Sequence, residues 1–199
     1  MRIKSQWFKD DAHKSAADIA SAAAFIVWRV AQNALKTMRA AGYELPPGEP
    51  YFAFLAEFLA FLVAAADRIA YRQRDAAWRI EFTNATANRV GETLAGNQAD
   101  LLAADSADAY KRRFIELVNL RNVDYADHQW TDAGPDYGFI RCFGHCVAET
   151  MAAHDRTWAV SQVIEVEAPE AIEMLQKAMA GLLGETPRRA RRSAASRGE

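Results

Sequence analysis

The stretch that most limits what this chain can fold into is YFAFLAEFLAFLVAAA, residues 51–66. Apart from Glu57 it is uninterrupted apolar and small side chain. A membrane span needs about 20 predominantly apolar residues with few charges, so sixteen with a central carboxylate predict a buried helix and no membrane span. Pro50 suits the first turn, where its missing N–H costs nothing. Tyr51, Leu55, Phe58, Leu62, Ala65 and Ile69 recur at helical spacing, and Phe54, Leu59, Phe61 and Val63 widen that stripe. A helix apolar over most of its circumference belongs at the centre of a bundle.

The remaining arc of this helix carries Ala53, Glu57, Ala60, Ala64 and Asp67, with Arg68 and Tyr71 beyond. Its small residues either admit a neighbouring helix or face water beside the charges. In the first case a buried Glu57 or Asp67 would have a raised pKa and could work as an acid or base. The water-facing reading is preferred, because charged side chains are rarely buried without a partner. Glu57, Asp67 and Arg68 are candidate functional positions.

The other segments are helical too. Ser15-Ala-Ala-Asp18 has the shape of a capping box and opens a helix near 15–41 with Ile19, Ala23, Ile26, Val30, Ala34 and Met38 inward. A third helix, about 75–96, sets Ile80, Ala87, Val90 and Leu94 toward the core and Glu81, Asn84, Asn88 and Glu92 toward solvent. Ser106 or Asp105 starts a fourth, about 107–129, with Tyr110, Phe114, Leu117, Val118 and Tyr125 inward. The loop TDAGPD precedes a fifth, about 137–155, and Pro169 opens a last amphipathic helix that ends at Gly184. Residues 157–167 are β-branched enough for a strand, but a lone strand has no partner, so helix or turn is preferred. The expectation is an all-α, single-domain bundle of five to seven helices over residues 15–185, after an N-terminal extension (1–14).

Charge is unevenly distributed. Five Arg against one Glu give residues 186–199 a charge of +4, which leaves −6 on the body for the net −2. The basic tail is expected to be disordered, with weak anionic contact through Arg188, Arg189, Arg191 and Arg192. An acidic body does not present the basic stripe of a nucleic-acid-binding face. The start, MRIKSQWFKDDAHK, has no signal-peptide pattern, and two cysteines make no disulfide framework, so a cytoplasmic chain is expected.

GFIRCFGHCVAETMAAHD (138–155) holds both cysteines and two of the four histidines. On a helix of 100° per residue, Cys142, His145, Cys146 and Glu149 share one side of two turns. Thiolate and imidazole suit zinc or iron, but one straight helix cannot enclose a tetrahedral ion. Further ligands would come from His128, Asp127, Asp124 or Glu57, and the repeated Glu and Glu-x-x-His signature of bundle metal sites is missing. C-x-x-x-C is not a thiol-redox spacing, although His145 or Arg141 beside a thiol could lower its pKa. The preferred reading makes both Cys small apolar residues at a core boundary and His145 with Glu149 an exposed pair, so no cofactor is predicted. Trp130 and Tyr137, in HQWTDAGPDYGF, could line a ligand pocket or partner contact, or cover the bundle end.

Two function classes follow. The preferred one is a non-catalytic interaction or accessory protein, a homodimer or the binder of another protein, supported by the excess of large apolar residues and by Trp7 and Phe8 ahead of the first helix. The alternative is a metal- or thiol-dependent enzyme or cofactor binder centred on Cys142, His145, Cys146 and Glu149.

Overall fold

The computed structural model of the chain describes residues 15–184. Among them are seven α-helices: α1 (Ala16–Ala40), α2 (Glu49–Tyr71), α3 (Ala76–Leu102), α4 (Ala107–Ala126), α5 (Tyr137–Glu149), α6 (Arg156–Gln162) and α7 (Ala168–Leu183). The Trp7 and Phe8 extension and the basic tail with Arg188, Arg189, Arg191 and Arg192 lie outside the described residues. No described helix is long and apolar enough to cross a membrane.

The helix starts follow local chemistry. Ser15, Asp75, Ser106 and Asp136 each accept a hydrogen bond from a backbone N–H in the first turn of the following helix. Ser15 and Asp18 complete the capping box. At the other end, Gly184 leaves α7 in the left-handed conformation that glycine adopts without a Cβ penalty.

Helix α2 is the axis of the bundle and packs on α1, α3, α4, α5 and α7. Its all-round apolarity is thereby used: Phe52, Phe54, Leu55, Phe58, Leu59, Phe61, Leu62 and Val63 are all buried. An aromatic layer joins α2 to α4 and α5. Phe61 stacks on Phe143 at 3.8 Å, Phe143 meets Phe58 edge-on at 4.7 Å, and Tyr125 stacks on Phe139 at 4.4 Å. Such pairs contribute about 0.5–1.5 kcal/mol each beyond the area they bury.

Several expectations need correction. The Glu57 arc does not face water: Glu57, Ala60 and Ala64 are buried, because α4 closes over them. Ile80 is 63% exposed although it shares an arc with buried Ala87 and Leu94, because near the start of α3 it lines an open gap that no neighbouring helix fills. Helix α5 ends at Glu149, six residues early. The turn after it is held by Asp155, whose backbone N–H reaches Ala152 and whose carboxylate accepts from the Glu44 backbone N–H. Residues 156–183 run on helically, with a π-helical segment over Val163–Glu167 between α6 and α7. The TDAGPD loop holds a minimal antiparallel pair, β1 (Trp130–Thr131) with β2 (Gly134–Pro135).

Candidate functional site

Three places concentrate chemistry on this scaffold. The first is the junction of α2, α4 and α5. Glu57 is 7% exposed, and both its oxygens accept from the Arg121 guanidinium, at 2.7 and 2.8 Å. Arg121 also donates to Asp124, one turn along α4, at 2.7 Å. The Glu57 hydrogen bonds hold Arg121 above the usual guanidinium range against the opposing pull of burial. This two-pronged geometry suits the planar fork of arginine.

The sulfurs of Cys142 and Cys146 lie beside that ion pair. Both cysteines are free and half-buried, and the titration of each thiol is influenced by the other. Burial pushes Cys142 up, helped by the Asp124 charge, and pushes Cys146 up to about 12. A nucleophilic cysteine needs the opposite shift. The Tyr125 hydroxyl is buried there without a hydrogen-bond partner, and burial keeps it well above the usual phenol range.

The residues read as metal ligands do not converge. His145 and Glu149 are exposed, and Glu149 faces Arg156 at 3.6 Å, so the expected His145–Glu149 pair is not formed. His128 packs against the first turn of α5, where a Cβ on Gly138 would stand 2.6 Å from its Nδ1. Beside it, Asp136 caps α5; burial would raise its carboxyl, but the Gln129 and Phe139 backbone N–H groups outweigh that and hold it low. Among the described residues no three His, Cys, Asp or Glu side chains are placed to hold a metal ion.

The second place is a cavity of about 490 Å³ between α2, α3 and α4. It brings together Asp67 and Arg68, both singled out from sequence, with Arg79, Thr83 and Asn122, which were not. Asp67 accepts from Arg79 at 2.6 Å and from the Thr83 hydroxyl at 2.8 Å. Arg79 also lies 4.4 Å above the Tyr71 ring. Arg68 donates to the Tyr125 carbonyl near the end of α4, at 3.0 Å.

The third is a surface groove of about 450 Å³ between α1 and α7, lined by Phe25, Ile26, Val30 and Met174 and edged by Arg29 and Lys36. Phe25 is 62% exposed, with the Arg29 guanidinium 5.8 Å from its ring centre. No inward-facing periodicity could have marked it, because it lies on the polar side of α1.

Trp130 is half-buried edge-on against Phe139 at 5.3 Å and covers the end of the bundle, while Tyr137 is exposed. No family model, no curated protein and no solved structure matches this chain.

Proposed function

We propose that this chain is a non-catalytic interaction protein that works as a homodimer, joined through the α1–α7 groove. The observation that carries this reading is the pairing of an exposed apolar strip with opposite charges on its two flanks. Arg29 beside Phe25 and Lys36 three turns on make the α1 edge basic, whereas Glu170 and Glu173 beside Met174 leave the α7 edge net acidic although Glu173 already pairs with Lys177; all are exposed. A two-fold axis along the groove sets α1 of one copy against α7 of the other, so basic flank meets acidic flank twice. Self-complementarity of this kind favours a second copy over an unrelated partner.

The sulfur cluster supports the same reading. Its carboxylate is consumed by Arg121, and burial holds both thiols in the protonated, unreactive form. Free thiols of this kind persist in a reducing compartment, consistent with the cytoplasm.

The test is sedimentation velocity on the full chain and on Phe25→Glu and Met174→Lys. Phe25 is 62% exposed, so each dimer newly buries about 1–2 kcal/mol at each of its two copies, and Phe25→Glu should weaken association at least about twentyfold. Unchanged association of both variants, or a wild-type chain that stays monomeric at all concentrations, removes this reading.

A further inference from the structure

The cavity between α2, α3 and α4 has no part in a dimer built on α1 and α7, and its charges do not balance. Asp67 is neutralised by Arg79, and its other oxygen is occupied by Thr83. Arg68 is half-buried in the same wall, and among the described residues it has no carboxylate within 4.0 Å. It makes one hydrogen bond, to a backbone carbonyl near the negative end of α4. That contact offsets part of a charge and leaves most of its five donors free. Nearby, the Arg79 Nε–H is buried without an acceptor. That N–H is sealed from the cavity, so the group an anion would satisfy is the unmatched Arg68 guanidinium.

We infer that this cavity binds a small organic carboxylate, seated on the free edge of the Arg68 guanidinium. Arg68, Arg79 and Asp67 together leave a single positive charge, which matches a monoanion better than a phosphate dianion. The planar guanidinium presents paired donors at the spacing of carboxylate oxygens. Ala64, Ala76 and Ala126 give the cavity small apolar surfaces for a hydrocarbon body, while Asn84 and Asn122 stand at its mouth to hydrogen-bond polar substituents. Its volume lies within the range of small-molecule sites. Arg79 is held between Asp67 and the Tyr71 ring, so this wall is already ordered before a ligand arrives.

An NMR amide-shift titration of the full chain tests this, with benzoate as the probe, benzamide as its neutral isostere and inorganic phosphate as the competing anion. Benzoate should give saturable shifts on both sides of the cavity, at Asp67–Arg68 and at Asn122–Ala126. It should bind at least about tenfold tighter than benzamide, the worth of one charge-assisted contact. Arg68→Gln, which keeps a donor for the Tyr125 carbonyl, should remove that preference. Ala126→Phe, at an exposed position on the cavity wall, should block binding without changing charge. The inference is overturned if benzoate gives no saturable shift, gains nothing over benzamide, or survives either substitution. Tighter binding of phosphate than of benzoate would overturn the carboxylate assignment.

Discussion

Replacing Arg121 by Met isolates the energetics of the buried junction. The guanidinium is the only group donating to the Glu57 carboxylate among the described residues, and Glu57 is 7% exposed. Arg121→Met therefore strands a carboxylate beneath α4, for which a loss of about 3–5 kcal/mol is expected. That is a large part of the roughly 5–15 kcal/mol by which domains are stable. For a chain of this size each kcal/mol moves the melting midpoint by about 2–4 °C, so a fall of about 6–20 °C should appear. The pair itself is a different matter. Glu57→Leu combined with Arg121→Met removes both charges and should return the midpoint to near wild type, because desolvation offsets most of the attraction. In the single variant the stranded carboxylate takes up a proton more readily folded than unfolded. Stability should therefore recover as pH falls toward the ordinary carboxylate range and be lost as pH rises. Urea melts of the two single variants and the double, at neutral and acid pH, give the full cycle. A loss below about 1 kcal/mol in Arg121→Met, or a double variant as unstable as the single, would refute the argument.

Other consequences are equally direct. Glu167, in the π-helical segment, is 2% exposed with Gln162 at 3.1 Å, and burial raises its pKa. Its contribution to stability is therefore greatest below the unfolded carboxyl pKa and declines as pH rises toward the folded one; Glu167→Gln should flatten that decline in melts between acid and neutral pH. With Cys146 near 12 rather than 9.0, its thiolate at pH 8 is scarcer by on the order of a thousandfold, so iodoacetamide followed by mass spectrometry should label it far faster in urea than in the native chain. Equal rates would contradict its burial. A Cβ at Gly144 would meet Ile164 Cγ1 at 2.7 Å, so Gly144→Ala should cost about 1–3 kcal/mol in a urea melt. Adding Ile164→Ala, which clears the space, should cancel the clash and make the two changes less than additive.

The helical skeleton was legible because each start is a local event. Ser15, Ser106 and Pro50 state their roles within four residues, and the all-round apolarity of residues 51–66 fixes α2 at the centre. The 157–167 segment, β-branched as it is, could be read as helical because no second strand offered a partner. What failed was the exposure of particular arcs. An Ala-rich arc with one Glu fits water or a closely packed helix equally well, and the partner that decides the matter, Arg121, lies 64 residues away. Nothing local distinguishes that arginine from others on α4. Ile80 failed for a related reason: its phase matches that of buried Ala87 and Leu94, but near the start of α3 no neighbouring helix covers it. Of the site residues, the cysteines fell at the core boundary as their angular position implied, and Asp67 with Arg68 did reach a cavity. Phe25 lies on the polar side of α1, and the groove it lines became visible only once α7 was laid beside that helix.

The homodimer reading meets its most direct test in a charge exchange across the α1–α7 groove, followed by sedimentation equilibrium. The wild-type chain should reach twice its 22.1 kDa mass as concentration rises. Arg29→Glu with Lys36→Glu should return it to a single chain, and adding Glu170→Lys with Glu173→Lys should restore the doubled mass. One chain mass for the wild type throughout, or no restoration when both flanks are reversed, would contradict the account.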